Sequence, residues 1–285
     1  MKKQQNKRRT GFWLVILVWI SFAGYQQDLY AQNEKIKPPE GMVLIPSGTN
    51  ESGEKMAGFF MDISPVTVQQ YDAFIRATGY VDDAHKYGSA DVFDTVLHRW
   101  KMTEGANYLY PYGPDKPKAE GDMPATQVSW NDAIAYCNWA GKRLPTAKEW
   151  IYAAMNADGN YNKEYPWGNE LIENGKYMAN VWQGNFPYKN TVADGYAFAA
   201  PVGIFGKTIL GLTDLGGNVW EWIEDWKNIR DTTGPDAQKL QMGGSFLCDI
   251  NVCHGYKIGR SASSTPNSSL CHVGFRCVTD ISGAD

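Results

Sequence analysis

From residue 42 onward the chain alternates short apolar runs with turn residues. "MVLIPSG" (42 to 48) and "GFFMDISPVT" (58 to 67) have strand length and are bounded by Gly, Pro and Ser, so they predict two short strands. The period then changes. Tyr71, Phe74, Ile75 and Thr78 fall on one helical face, Thr67 and Gln70 make a capping-box signature before them, and Gly79 follows. The same pattern predicts a second helix in "SWNDAIAYCNWA", started by Ser129 and Asp132, with Ala133, Tyr136, Cys137 and Ala140 on one face and Gly141 at its end. A third, "TAKEWIYAAM", is capped by Thr146 and Glu149 directly after Leu144-Pro145. Residues 80 to 122 carry no clear period and read as irregular, with "PYGPDKPKAEGD" (111 to 122) as a loop. Beyond Met155 the remaining 130 residues alternate brief apolar segments with Gly, Asn, Asp and Pro. That pattern predicts loops and short strands held by packing or bound ions.

The apolar run from Gly11 to about Gly24 has a different character. Lys2, Lys3, Lys7, Arg8 and Arg9 precede it and the small residue Ala31 follows, which is the order of a secretory signal peptide over residues 1 to 31. The run is short for a membrane span, although an uncleaved anchor stays open. Residues 32 to 285 are therefore expected to be one soluble exported domain, periplasmic or secreted, with no stable membrane insertion once the signal is cleaved; a monomer is expected. Removing the five basic residues and one acidic residue of the first 31 leaves 22 basic against 30 acidic, a net charge near −8. That balance excludes a basic nucleic-acid footprint. The 29 glycines, 14 prolines and 27 Trp plus Tyr residues point to many turns and a core built partly from amphipathic rings.

Candidate chemistry gathers in "GGSFLCDINVCHGYKIGR" (243 to 260), where Cys248 and Cys253 lie five positions apart. Neither a helix nor a strand puts i and i+5 on one face, so a loop must bring them together, and Asp249 and Asn251 favour turns. Two such thiols can form a disulfide, the default in an exported chain, or as thiolates they can bind a soft cation such as Cu(I) or Zn(II). A structural zinc site would need four ligands, and no second cysteine pair at finger-like spacing is nearby. Five cysteines allow fifteen ways to form two pairs with one left over, and the spacing selects none of them.

Longer motifs narrow the choice. "VSWNDAIAYCNWAGKRLPTAKEWIYAA", "YPWGNE", "ANVWQGNFP", "GLTDLGGNVWEW", "GGSFLCDINVC" and "TPNSSLCHVGFRC" resemble, in order, the motifs of the formylglycine-generating enzyme, or sulfatase-modifying factor, family. The resemblance runs from about residue 40 to 279 and is strongest after 123. It implies an irregular, loop-rich α+β fold related to C-type lectin-like domains, with few helices and short strands. It also implies an oxidase that uses Cu(I) (Cu+) and O2 as co-substrate to convert a cysteine in a Cys-x-Pro-x-Arg segment of an unfolded sulfatase to formylglycine. Cys248 and Cys253 would be the copper ligands and the catalytic pair. Ser245 would stand beside them as a hydroxyl for proton relay or oxygen binding, or as a serine bonded to turn backbone, and Trp220 near the oxygen pocket or simply in the core. Cys137 and Cys277 would form a structural disulfide, leaving Cys271 unpaired. A further bridge seen in many members would have its partners at Ala154 and Ile258. Ca2+ would bind at Asn180, Val181, Asp194 and Tyr196, and again at Asp214, Gly217, Val219 and Glu221, through two side chains and two backbone carbonyls in each set.

The substrate side departs from the pattern. Pro65 replaces an expected acidic residue, an expected Asp-Ser pair reads Ser89-Ala90, a tryptophan-rich loop is replaced around 94 to 112, and Asp249-Ile250-Asn251-Val252 separates the thiols. A non-catalytic exported interaction or assembly protein on the same fold is accordingly the alternative. The iron-dependent sulfoxide synthase branch of the fold fits poorly, because His85, His98, His254 and His272 include no His-x3-His-x-Glu arrangement.

Overall fold

The first predicted strand forms as β1 (Met42–Ile45), followed by a small ribbon of β2 (Gly48–Thr49) and β3 (Lys55–Met56), and the second as β4 (Phe59–Asp62). The computed structural model describes residues 37–157 and 162–281, so the signal-peptide expectation lies outside the described residues. Residues 40–285 group as one unit, and the description concerns that unit.

All three sequence-predicted helices are present: α1 (Val68–Thr78), then, after a short α2 (Asp83–Tyr87), α3 (Trp130–Trp139) and α4 (Ala147–Ala154). Thr67, Ser129 and Thr146 are N-caps in extended backbone, each in a reciprocal capping box with Gln70, Asp132 and Glu149. Such a cap is worth about 1 kcal/mol because it satisfies amide groups that the helix itself cannot. Gly79 ends α1 at φ 68°, a left-handed conformation that glycine adopts without penalty. The predicted face of α1 packs inward through Tyr71 and Phe74, with Tyr136 of α3 and Phe275 ring to ring with both helices' aromatics.

Residues 80 to 122 are more regular than the sequence suggests. Besides α2 they contain a hairpin of β5 (Ser89–Asp94) and β6 (Arg99–Glu104), paired over six positions, with the Asp94 carboxylate accepting from the Val96 and Leu97 amides in the turn. The physical reason is plain: β5 buries Ala90, Val92 and Phe93, whereas β6 is exposed along nearly its whole length, so the short alternation of Arg99, Trp100, Lys101 and Met102 marks no buried face. Helix α2 spans five residues, too few for a helical period.

After Met155 come the ribbons β7 (Ile172–Glu173) with β8 (Lys176–Tyr177) and β9 (Gly184–Asn185) with β10 (Lys189–Asn190). The remaining strands follow: β11 (Trp220–Trp226), β12 (Lys239–Met242), β13 (Ser261–Ser264), β14 (Val273–Gly274) and β15 (Val278–Asp280). They make a four-stranded sheet in the order β13-β12-β11-β14, whose only parallel pair is β11 with β14, while β15 adds to β4 in a three-stranded antiparallel sheet with β1. One apolar cluster collects Tyr71, Phe74, Tyr136, Trp220, Trp222, Tyr256 and Phe275 around Cys248; another holds Ile45, Met61, Trp150, Leu215 and Ile223. This is the loop-rich α+β architecture expected.

Candidate active site

The loop carrying the two thiols is built on close backbone approach. Gly243 and Gly244 take φ of 94° and 75°, and a Cβ on Gly244 would collide with the Gly255–Tyr256 peptide, so the two limbs of the loop meet where only glycine fits. The Cys248 amide donates to the Ser245 carbonyl (2.9 Å) and the Cys253 amide to the Asp249 carbonyl (3.2 Å). Between them the buried Asp249 carboxylate accepts from the amides of Asn251 (3.2 Å) and Val252 (2.6 Å), a side-chain turn of the kind aspartate makes. The result brings the Cα atoms of Cys248 and Cys253 to 4.9 Å with their sulfurs in contact, placed as a disulfide pair. Cys248 is 2% exposed and Cys253 half-buried, so one sulfur is anchored and the other is within reach from outside.

Trp220 stands at the start of β11, 4% exposed, its amide held by the His272 carbonyl at 2.9 Å. Its six-membered ring and the Cys248 sulfur face each other across Gly255, where an added Cβ would overlap the ring and lie 3.0 Å from the sulfur. Ser245 is fully buried, and its hydroxyl accepts from the Leu247 amide at 3.3 Å, the turn-bonded arrangement that the sequence also allowed. From the Cys248 carbonyl, which accepts from the Trp182 amide, an aromatic wall runs through Trp182, Phe186, Phe93, Trp100 and His272 back to Trp220.

The two residue sets expected to bind calcium lie in loops that bond to this site, through the Trp182 amide to the Cys248 carbonyl and the Phe246 amide to the Asn218 carbonyl. In the first, Asp194 accepts from the amides of Val181 and Tyr196 (both 3.0 Å), and Asn180 donates to the Phe198 carbonyl and to the Asn218 side chain. In the second, Asp214 is held at φ 57° and accepts from the Gly203 amide at 2.6 Å, while Gly217 turns at φ 78°. Asn180 Oδ1 and Asp214 Oδ1 are both buried without a hydrogen-bond partner. A buried oxygen left bare is costly, and a hard cation is a fitting partner for it, so these residues suit calcium. Burial also pushes Asp214 up to about 6, against the Gly203 amide, which favours the carboxylate. Glu221 is more heavily engaged: Oε2 accepts from Trp150 Nε1 and Arg276 Nε, and Oε1 from Arg276, leaving one lone pair for a cation.

The Cys137 and Cys277 sulfurs are 2.8 Å apart and fully buried, in position to pair, and Cys271 lies apart from them. Burial pushes the Cys271 thiol up to about 12, which keeps it protonated and unreactive. Ala154 and Ile258 belong to one apolar cluster, so packing occupies the place where the further bridge would be. Sequence reasoning missed Arg276, which besides Glu221 binds the carbonyls of Asp62, Ile63 and Thr213, and Asn218, whose side chain ties Asn180 to Ala200. Both lie inside the quoted motifs "GFRC" and "GGNVWEW", which was the available signal. Gly255 and Trp182 also lie in quoted stretches, but their roles were missed because a close approach through space leaves no local pattern.

Residues 26–281 match the sulfatase-modifying factor enzyme 1-like domain. The chain is 39% identical to the formylglycine-generating enzyme of Thermomonospora curvata over 85% of its own length and 94% of that protein's, and 37% identical to that of Bos taurus over 85% and 75%. It is also 32% identical to the inactive C-alpha-formylglycine-generating enzyme 2 of Mus musculus, covering 93% of this chain and 92% of the other. Among solved structures, CarF superposes with a TM-score of 0.60 at 21% identity (85% of this chain, 99% of that one), and PvdO from Pseudomonas aeruginosa with 0.57 at 23% (84% and 94%). The fold is thus shared with both.

Proposed function

The chain belongs to the sulfatase-modifying factor family, and on that premise we propose that it oxidises a cysteine in a Cys-x-Pro-x-Arg segment of an unfolded sulfatase to formylglycine, with Cu(I) between Cys248 and Cys253 and O2 as co-substrate. The observation that carries this reading is the pair of sulfurs brought together at the Gly243-Gly244-Ser245 turn, one anchored and one reachable, against Trp220. Two thiolates suit a soft monovalent cation with no strong geometric demand, and copper, when bound, would supply the electron transfer to O2. In the net reaction the thiol-bearing methylene of the substrate becomes an aldehyde and its sulfur leaves as hydrogen sulfide. Oxidising the substrate cysteine releases two electrons, reduction of O2 to water takes four, and a thiol reductant is the source of the other two.

The chain's own residues hold and shield. The amide bonds around Ser245 and Asp249 fix both cysteines, and the half-buried Cys253 marks the side from which a substrate thiol arrives. Trp220 packs close to the Cys248 sulfur across Gly255 and shields it from water. The Ser245 hydroxyl accepts from Leu247 and still has its own proton to give, which suits it to a relay. Calcium at the two loops would fix the carbonyl and amide contacts that these loops make to Cys248 and Phe246. In this reading the protein is exported by its signal peptide and acts as a monomer; among the described residues no helix is long and apolar enough to cross a membrane.

The second reading, an exported interaction protein, is favoured by the similarity to a relative named inactive. Incubation with Cu(I), O2, a thiol reductant and a Cys-x-Pro-x-Arg peptide, followed by mass spectrometry for the aldehyde, separates the two. Aldehyde formed by an authentic family enzyme but not by this protein would overturn the oxidase reading.

A further inference from the structure

Three stacked rings, each of a kind that can give up an electron, run from the thiol loop to the surface. Tyr256, 1% exposed, stacks with Tyr165 at 5.9 Å and 20°, and Tyr165, 5% exposed, stacks with Trp167 at 5.3 Å and 7°. Trp167 is half-buried and its Nε1 donates to the Glu170 carbonyl at 2.9 Å, so the last ring of the file reaches solvent. Its seat is fixed, because a Cβ on Gly206 or on Gly216 would lie only 2.5 or 2.8 Å from its ring carbons. Each tyrosine also has a carboxylate beside it. The Tyr165 hydroxyl is raised by burial and then by Glu164, to which it is hydrogen-bonded and which is itself paired with Lys257. Burial pushes Tyr256 up to about 12, with Tyr165, Asp249 and Glu164 adding to the effect.

The inner end of the file meets the thiol pair. Tyr256 follows Gly255, across which Trp220 and the Cys248 sulfur face each other, and it shares one apolar cluster with both of them and with Tyr165. A Cβ on Gly244 would lie 2.4 Å from the Tyr256 amide nitrogen, so the start of the file is locked to the Gly243-Gly244-Ser245 turn. The aromatic wall on the other side of the site differs in kind. Between Trp182 and Trp100 it passes through Phe186 and Phe93, and a phenyl ring gives up an electron far less readily than a phenol or an indole. Packing alone accounts for buried rings, but not for a file in which every member is oxidisable and each phenol has a proton acceptor. A site that reduces O2 between two thiolates has a use for one. With no substrate thiol present the thiolates themselves are exposed to oxidation, and a cysteine oxidised beyond the sulfenic acid is not restored by a thiol.

We propose that Tyr256, Tyr165 and Trp167 form an electron path that discharges the thiol site when O2 is reduced there without substrate. The proposal rests on the oxidase reading above and goes beyond it. Tyr256 gives an electron to the site while its hydroxyl proton passes to a neighbouring carboxylate. Tyr165 then refills Tyr256 and Trp167 refills Tyr165, each phenol taking back its proton. The electron missing from Trp167 comes at the surface from the thiol reductant, and two thiyl radicals so formed join as a disulfide. Over a full cycle four thiols and one O2 give two disulfides and two waters, and the protein is unchanged.

The test creates the electron vacancy without copper. Cys253 is the most exposed of the five thiols, so a ruthenium photosensitiser is coupled to it and excited with an irreversible electron acceptor in solution. Peptide mapping by mass spectrometry should then find oxidised Trp167 in the wild-type chain. Tyr165→Phe, which keeps the stack and removes the oxidisable phenol, should lose that product and shift oxidation to Trp220. Trp167→Phe should instead leave a tyrosyl radical visible by electron paramagnetic resonance. Oxidation of Trp100, 43% exposed, reports attack from solution and should be the same in all three chains. In copper-loaded protein under O2 without substrate, Tyr165→Phe should shift oxidation from Trp167 to Cys248 and Cys253, with aldehyde formation in the first turnover as in wild type. Trp167 oxidised equally in wild type and Tyr165→Phe would overturn the path. If Trp167 oxidation requires Tyr165 but no aldehyde forms from the Cys-x-Pro-x-Arg peptide, the electron path stands and the oxidase reading fails. If aldehyde forms and Trp167 oxidation is independent of Tyr165, the path alone fails.

Discussion

Gly255→Ala probes the geometry that the proposed chemistry depends on. A Cβ at this position would lie 2.5 Å from Trp220 Cζ2 and 3.0 Å from the Cys248 sulfur. Carbon atoms rest at about 3.5 to 4.0 Å, so the methyl group overlaps the ring by roughly 1 Å. The ring has little room to retreat: Trp220 is 4% exposed and its backbone is tied to β14. Overpacking of this kind costs about 1 to 3 kcal/mol. Urea denaturation should show a lower midpoint at unchanged slope, since the surface exposed on unfolding stays the same. Because the same methyl group presses on the Cys248 sulfur, Cu(I) affinity, read by competition with a chromogenic chelator, should fall too. Gly168→Ala is the control, with ordinary contact at 3.7 Å to Glu173. If the two variants share one midpoint and one copper affinity, the close approach of Trp220, Gly255 and Cys248 is not the constraint described.

Three further outcomes follow from the geometry. Cys248→Ser and Cys253→Ser should each abolish Cu(I) binding and aldehyde formation, whereas a purely structural pair would cost at most a few kcal/mol of stability; wild-type copper binding in both variants would refute the site. Non-reducing peptide mapping should link Cys137 with Cys277 and leave Cys271 free, and Cys271 bonded to either would refute the pairing. Asp214 and Asp132 are both raised by burial to about 6. An acid raised on folding binds its proton more tightly in the folded chain, so cation-free protein should lose stability as pH rises from about 4 to about 6. Calcium should restore the part owed to Asp214, and a flat or rising melting profile in chelator would refute this.

Local signals were the legible part of the fold. Capping boxes at Thr67, Ser129 and Thr146 announce three helices because their chemistry is complete within four residues. The β5/β6 hairpin was not legible, since Arg99 to Met102 are exposed on both faces of β6 and their short alternation marks no core. At the site the same division holds. Cys248, Cys253, Asn180, Val181, Asp214, Gly217, Val219 and Glu221 lie in contiguous motifs, whereas Asp194 and Tyr196 fall between them. The role of Arg276, bonded to carbonyls from residues 62, 63 and 213, exists only once distant segments meet.

The pairing of β15 with β4 places Val278 opposite Met61, joining positions separated by about 220 residues. Synthesis runs from the N-terminus at about 5 to 20 residues per second, so β4 emerges roughly 10 to 40 seconds before its second neighbour exists. During that interval Phe59, Phe60 and Met61 have β1 on one side and an open edge on the other. A strand in that state is a template for the wrong partner. Non-local pairing of this kind makes folding slow, because the long loop must close before the contact rewards it. The native sheet is therefore a late event: its last strand is made long after β4, and a chain truncated just before Val278 would carry nearly all of the site's residues with β4 still lacking its neighbour.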